Sequence, residues 1–164
     1  MKTEILFPEV ANLCGDLMNV TYLRQCCPEM EVVETGLKDR PAFLDGGVDL
    51  VYVGSATERG LQLMVKALAP YRAELERYVD GGGLMLATGN ALDALGEYVV
   101  IDGKRAFDGL GILKTHAEYH MMKRHNSFLL GSFQDMEIVG FKSLFGHTYP
   151  DDELANPLFR VERG

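Results

Sequence analysis

Residues 80–96 contain a bend at which a catalytic nucleophile would be expected. Three glycines, the apolar run 84–87, a Thr-Gly-Asn sequence and a second apolar segment predict strand, tight turn and helix. In such a unit the bend residue lies at the carboxyl end of a strand, where backbone N–H groups of the following helix can hold an anion or a developing oxyanion. The bend residue here is Gly89. The position therefore has the shape of a catalytic bend without a nucleophilic side chain.

Polar residues beside this bend could still bind a ligand. Thr88 and Asn90 flank Gly89, and Ser55 follows another predicted strand. Because the carboxyl ends of parallel strands meet at one edge of a sheet, these residues are expected to line one pocket. Two alternatives remain open: a small polar ligand binds there without reaction, or side chains fill the pocket.

A second group of residues could hold a metal ion. Side chains alternate along a strand, so His116, Glu118 and His120 would share one face, and two histidines with one glutamate suit zinc. The alternative is a polar strand that faces solvent, because no fourth ligand is evident. We predict no resident metal and no cofactor.

The cysteines offer another route to nucleophilic chemistry. Their number is odd and two are adjacent (Cys14, Cys26 and Cys27), which is typical of free thiols in a reducing compartment. Cys14 could act as a relocated nucleophile, or it could be a small packing residue. A register shift could bring His147 near the pocket, but a surface or hydrogen-bonded loop histidine is the more common case.

Composition excludes several classes of protein. The chain has 164 residues, of which 47% are hydrophobic and 24% charged, as expected for one globular domain. Its net charge of −8 argues against a nucleic acid or an anionic membrane as partner. No apolar run approaches the roughly 20 residues that span a bilayer, and the first residues lack a signal-peptide core. We expect a cytoplasmic protein.

The first half of the chain alternates between two kinds of segment. Short apolar runs predict strands at 4–7, 30–34, 48–53 and 84–87. Apolar residues at helical spacing predict three helical segments. The first follows Asp16, which we expect to be its cap. The others cover 58–79, with a break at Pro70, and 90–95. This alternation predicts an α/β fold built on a parallel-core sheet with flanking helices.

The second half predicts antiparallel strands. Asp102-Gly103 lies between 98–101 and 104–107 and favours the turn of a hairpin. Further strands are predicted at 116–122, 127–133 and 137–141, and loops at 150–153 and 156–157.

Several segments match the motifs of one family in order and spacing. Residues 12–19 are similar to Asn-Leu-Tyr-Gly-Asp-x-x-Asn, with Cys14 in the tyrosine position. Residues 53–59 match a Gly-Gly-Gly loop, in which Gly54 and Ser55 would contact ligand. Residues 86–96 align with Leu-Ala-Ile-Cys-Gly-Gly-Tyr-Gln-Leu-Leu-Gly. Residues 140–149 resemble Gly-Phe-Glu-Asn-His-Gly-Gly-Arg-Thr-Tyr.

These motifs resemble the class I glutamine amidotransferases, in the branch of cobyric acid synthase and of the glutaminase subunit of lipid II isoglutaminyl synthase. The segment 109–113, Gly-Leu-Gly-Ile-Leu, and Arg124 after it also match that branch. The resemblance implies a flavodoxin-like amidotransferase fold and makes Arg124 the arginine that binds the substrate carboxylate. The alternative is that Arg124 is a surface charge beside Lys123. It further implies one domain over 1–164 that lacks the family's last strands and helix.

The departures from the family concern its chemistry. In the family a cysteine at the bend attacks the glutamine amide and a histidine relays the proton. Gly89 and Leu144 occupy those two positions here, and Lys142 replaces a nearby glutamate.

The resemblance and its departures together predict a degenerate glutaminase that acts as a binding or regulatory domain. The implied partner is an ATP-dependent amide ligase, related to the Mur ligases or the cobyric acid synthase ligase, in cell-wall or cobalamin-type amidation. The implied ligand is glutamine or another small polar molecule. Two enzymatic alternatives remain open: a glutaminase with relocated residues, and a metal-assisted hydrolase that uses His116, Glu118 and His120.

Overall fold

A four-stranded parallel sheet forms the first half of the protein. The computed structural model describes residues 1–151 and 158–164. The strands are β1 Lys2–Leu6, β2 Glu31–Thr35, β3 Leu50–Val53 and β4 Leu84–Ala87. Their spatial order is β2-β1-β3-β4 and every neighbouring pair is parallel. This order matches the start of the flavodoxin-like arrangement and confirms the predicted parallel core.

Three α-helices connect and flank these strands: α1 Met18–Cys26, α2 Glu58–Leu68 and α3 Arg72–Asp80. Thr57 caps α2, because its side chain accepts a hydrogen bond from the Gly60 N–H at 3.1 Å. The predicted break at Pro70 is confirmed, since a 3₁₀ turn, Ala69–Tyr71, separates α2 from α3. No helix among the described residues is long and apolar enough to cross a membrane.

Two local predictions were wrong. The segment 90–95 is not an α-helix but belongs to a 3₁₀ stretch, Gly89–Ala94. Asp16 does not cap α1, because the N-cap is Leu17 and makes no side-chain capping bond. Asn12 instead accepts a hydrogen bond from the Leu17 N–H at 3.0 Å. The Asp16 carboxylate is thereby left to bind other elements of the fold.

The second half forms two further sheets. Their strands are β5 Tyr98–Ile101, β6 Lys104–Asp108, β7 Thr115–Tyr119, β8 His125–Phe133, β9 Met136–Leu144, β10 Gly146–Pro150 and β11 Arg160–Arg163. The sheet orders are β10-β7-β5-β6 and β11-β8-β9. Residues 152–157, which include parts of both predicted loops, lie outside the described residues.

The predicted hairpin at Asp102-Gly103 is confirmed as β5 and β6, but β5 and β7 are parallel rather than antiparallel. β6 runs antiparallel to β5 on one edge of it. The connection 109–114 then carries the chain to the other edge of β5, where β7 runs in the same direction as β5. Arg72 fixes this connection, because its guanidinium donates to the carbonyl oxygens of Leu110 at 2.5 Å and Gly111 at 2.9 Å.

One hydrophobic core extends beneath both halves. Leu6, Val51 and Leu61 on the parallel sheet and α2 belong to the same buried cluster as Val99 on β5 and Ala117 on β7. Since this core continues from the parallel sheet to the second sheet, it holds the ends of β3 and β4 next to β7.

A charged side chain lies inside this fold. Glu4 on β1 is fully buried, and its carboxylate accepts hydrogen bonds from the Thr35 hydroxyl at 2.5 Å, the Ala42 N–H at 2.6 Å and the Phe43 N–H at 2.7 Å. These three donors compensate the charge and attach the 3₁₀ turn Ala42–Asp45 to the sheet.

Candidate functional site

A pocket of about 610 Å³ lies at the carboxyl ends of β3 and β4. Ser55, which follows β3, and Gly89, which follows β4, form its floor with Asn90. The segment 142–148, from the end of β9 and from β10, forms the opposite wall. The pocket is therefore at the edge of the parallel sheet where α/β proteins usually bind ligands.

The backbone bend at Gly89 is present, but the space for a side chain is occupied. Gly89 has φ +54°, the left-handed conformation that favours glycine. A Cβ added to Gly89 would lie 2.8 Å from the Ser55 Cβ, which is well inside ordinary contact distance. Ser55 stands in the loop for which the family motif has only glycines. A serine side chain thus fills the position from which a nucleophile at residue 89 would project.

Asp16 connects the loops beneath the pocket. Its carboxylate accepts hydrogen bonds from the Ser55 N–H at 2.5 Å, the Thr88 hydroxyl at 2.6 Å and the Asn19 side-chain amide at 2.7 Å. Burial alone would raise the pKa of Asp16, but the donors Ser55 and Thr88, together with Tyr52, outweigh it and hold the pKa below its usual value. Asp16 is therefore an anion that fixes the ends of β3 and β4.

This network uses the groups that were expected to contact ligand. The Thr88 hydroxyl is directed to Asp16, and neither Thr88 nor Gly54 is among the residues that line the pocket. A side chain at Gly54 would collide with the Ala11 backbone, so this glycine is required for close packing. Asn90 lines the pocket, but its amide accepts from the Ala56 N–H at 2.9 Å and donates to the Ala56 carbonyl at 2.8 Å.

A buried acid lies at the inner end of the pocket. Asp93 is 5% exposed and accepts hydrogen bonds from the Tyr119 hydroxyl at 2.5 Å and the Thr148 hydroxyl at 2.6 Å. Burial raises the pKa of Asp93 against the opposing effect of these two donors. Burial and the nearby Asp93 charge also raise the pKa of Tyr119, which therefore remains a hydrogen-bond donor at neutral pH. All three side chains line the pocket.

Cationic side chains lie on the opposite wall. Arg124 and Lys142 line the pocket, and the Arg124 guanidinium lies 4.5 Å from the centre of the Phe145 ring. His147 also lines the pocket and makes an edge contact with His125, with ring centres 5.1 Å apart. Burial lowers the pKa of His147, and the positive charges of His125, Lys142 and His120 lower it further.

Leu144 and Cys14 both line the pocket. Leu144 presents an apolar side chain at the position that the family resemblance assigns to the catalytic base. Cys14 lies in the 3₁₀ turn Leu13–Gly15 with φ +57° and is exposed, so it is not a buried packing residue. The structure thus brings Cys14 and His147 to one pocket.

The metal site considered at His116, Glu118 and His120 is not formed. Within residues 1–151 and 158–164, no group of three or more His, Cys, Asp or Glu side chains is placed to hold a metal ion. β7 ends at Tyr119, before His120. The His116 ring instead stacks on Tyr98 at 5.1 Å and makes a 2.8 Å contact with Asp151 through Nδ1.

Sequence analysis missed several residues of the site. Asp93, Tyr119 and Thr148 form its buried polar end, and Glu58 lies at its rim. A signal was available for Asp93, because a carboxylate within the apolar segment after a strand end is expected to have buried partners. Thr148 belongs to the matched segment 140–149, but nothing in the sequence pointed to Tyr119 or to the pairing of their two strands.

Comparisons with known proteins find relatives in sequence and in fold. No protein-family model matches the chain. It is 28% identical over 145 residues to "Lipid II isoglutaminyl synthase (glutamine-hydrolyzing) subunit GatD" of Staphylococcus aureus, covering 85% of this chain and 58% of that protein. It is 22% identical over 167 residues to the GatD subunit of Streptococcus pneumoniae, covering 97% of this chain and 62% of that protein. The chain therefore spans about three fifths of the length of these relatives.

The fold has a match among solved structures. A crystal structure of a glutamine amidotransferase superposes with a TM-score of 0.55 at 15% sequence identity, covering 87% of this chain and 70% of that one. The predicted α/β fold with its parallel sheet is confirmed by this match. The chain has the fold of a glutamine amidotransferase and is similar in sequence to GatD subunits of lipid II isoglutaminyl synthase.

Proposed function

We propose that this protein is a glutamine amidotransferase-like domain that binds a small polar ligand without hydrolysing glutamine and serves as the partner of an amide ligase. The observation that carries the proposal is the pair Gly89 and Ser55. The bend keeps its left-handed backbone, while the serine occupies the space that a nucleophile would need. Leu144, at the position of the base, cannot accept a proton.

The loss of both groups has a large expected effect on catalysis. Removing a covalent nucleophile or its base costs several orders of magnitude in rate, and only binding and oxyanion stabilisation remain. The pocket nevertheless stays open at about 610 Å³ and retains charged groups of both signs. A pocket that has lost its nucleophile and kept its charges is suited to binding.

The ligase partner is proposed from the relatives, which are named as subunits of a glutamine-hydrolysing synthase. We infer that the ligase is ATP-dependent, belongs to the Mur or cobyric acid synthase type, and acts in the cytoplasm on a cell-wall or cobalamin-type substrate. The protein would regulate this ligase through the state of its pocket.

A second candidate is a glutaminase in which Cys14 replaces the missing nucleophile. It is favoured by the exposed position of Cys14 on the same pocket as His147. In this candidate His147 takes the proton of the Cys14 thiol and the thiolate attacks the amide carbon. His147 then passes that proton to the amide nitrogen, the C–N bond breaks to release ammonia, and water hydrolyses the thioester to glutamate and the free thiol.

Ammonia release from glutamine distinguishes the two candidates. The purified protein is assayed with and without a candidate ligase subunit, beside the variant Cys14→Ser and the matched control Cys26→Ser on α1. The proposed function predicts no release above the buffer blank in any sample. Release that is lost in Cys14→Ser and kept in Cys26→Ser would refute it and establish the second candidate.

The partnership has its own test. Co-expression of the protein with the candidate ligase should give a complex that stays together through affinity and size-exclusion steps. Failure of every such ligase to co-purify would contradict the proposed partnership even if no ammonia is released.

A further inference from the structure

Two cationic side chains line one wall of the pocket. These are Arg124 and Lys142, and neither forms an ion pair within the described part of the chain. The protein as a whole carries a net charge of −8, so two cations side by side on one wall are a local exception. Cations that converge on a concave surface raise the local concentration of anions.

The surroundings of these cations make the wall more positive. The Phe145 ring beneath Arg124 restricts where its guanidinium can lie. Burial is the largest cause of the lowered pKa of His147, and the further lowering by His125, Lys142 and His120 reflects positive charge near this wall. A carboxylate bound there would be stabilised by both fixed charges.

Acidic side chains also line the pocket. Asp93 is 5% exposed, and each of its oxygens accepts one hydrogen bond, from Thr148 and from Tyr119, so each keeps one lone pair. Glu58, in the first turn of α2, also lines the pocket. The carboxylates of Asp93 and Glu58 can accept hydrogen bonds from an ammonium group.

We propose that the pocket binds an acidic amino acid, with its two carboxylates on Arg124 and Lys142 and its ammonium group toward Asp93. This inference rests on the proposed function, because it needs a pocket that binds without hydrolysis. Lys142 decides the selectivity: the side-chain carboxylate of glutamate can pair with it, whereas the neutral side-chain amide of glutamine cannot. The pocket therefore prefers the acid to the amide.

Calorimetric titration of the purified protein tests the preference. The ligands are L-glutamate, L-glutamine and glutarate, which has two carboxylates and no ammonium group. We expect L-glutamate to bind about tenfold more tightly than L-glutamine, as one additional partly desolvated ion pair provides. Glutarate should bind more weakly than L-glutamate, because it leaves Asp93 without an ammonium partner.

Variants identify the residue that carries the preference. Lys142→Met should bind the two amino acids equally, and Lys142→Arg should keep the preference. Lys38→Met, at an exposed lysine that does not line the pocket, is the matched control and should behave as the wild type. Thermal unfolding of each variant shows whether it is folded at the titration temperature, and Lys142→Gln, which also removes the charge, replaces Lys142→Met if that variant is not folded.

Equal or tighter binding of glutamine by the wild type, no binding of either amino acid, or a preference that survives Lys142→Met would overturn the inference. These outcomes test the acidic ligand, whereas a different measurement tests the proposed function. Ammonia release from glutamine would refute the proposed function whatever the affinities are. A folded protein that binds glutamine preferentially and releases no ammonia would refute only the acidic ligand.

Discussion

A side chain introduced at Gly89 should destabilise the protein through its contact with Ser55. Two costs apply to Gly89→Ala. The added Cβ would be 2.8 Å from the Ser55 Cβ, against about 3.5–4.0 Å for ordinary carbon contacts, and such overpacking costs about 1–3 kcal/mol. The backbone at φ +54° adds about 1–2 kcal/mol for any residue other than glycine.

The cost of the left-handed backbone can be measured separately. Gly111 has φ +62° and no atom within 4 Å of an added Cβ, so Gly111→Ala incurs only the backbone cost. We expect the free energy of unfolding to fall by about 1–2 kcal/mol in Gly111→Ala and by about 2–5 kcal/mol in Gly89→Ala. For a protein of this size the larger loss lowers Tm by about 4–20 °C.

A double-mutant cycle with Ser55→Gly isolates the contact. Removing the serine side chain should restore about 1–3 kcal/mol to Gly89→Ala, and it should restore nothing to Gly111→Ala. The assay is urea unfolding of all six proteins, followed by circular dichroism. The reasoning is refuted if Gly89→Ala is no less stable than Gly111→Ala, or if the coupling between positions 55 and 89 is zero.

Three further predictions concern the polar groups of the site. Asp16→Asn should lose about 2–3 kcal/mol at neutral pH, as expected for charge-assisted hydrogen bonds to Ser55 and Thr88. Because the pKa of Asp16 is lowered in the folded protein, its contribution is complete above about pH 4 and is lost on further acidification, so the variant should show a shallower acid transition than the wild type. Tyr119→Phe should lose about 1–3 kcal/mol, since Asp93 keeps only the Thr148 donor, and equal urea midpoints for variant and wild type would contradict this. The lowered pKa of His147 means that folding favours its neutral form, so wild-type stability should decrease as pH falls below about 6.5. In His147→Gln this decrease between pH 7.5 and 5.5 should be smaller, and an unchanged pH profile would show that other groups cause it.

The parallel half of the fold could be predicted because its signals are local. The apolar runs that became β1 to β4 and the interruption at Pro70 are properties of adjacent residues. The bend at Gly89 was recognised in the same way. The direction of the Asp16 side chain could not be predicted, because two of its partners, Ser55 and Thr88, are distant in sequence. An aspartate just before a helix often caps that helix with its side chain. In Asp16 the hydrogen bonds to distant residues override this preference.

The candidate site shows the same limit. That residue 89 lacks a nucleophile is evident from the sequence, whereas the occupation of its space by Ser55 needs the distance between two loops. Lys142 was noticed only as a departure from a motif, and its position on the pocket wall depends on the path of β9. The parallel pairing of β5 and β7 was missed because it depends on the connection that Arg72 fixes.

The buried Glu4 carboxylate has a consequence for synthesis on the ribosome. Its three donors, from Thr35, Ala42 and Phe43, all precede the second half of the chain. Once these residues have left the exit tunnel, β1 and β2 can pair while the Glu4 carboxylate already accepts its three hydrogen bonds. The nascent chain can therefore begin its sheet before β7 and β10 have been translated, and the pocket closes last.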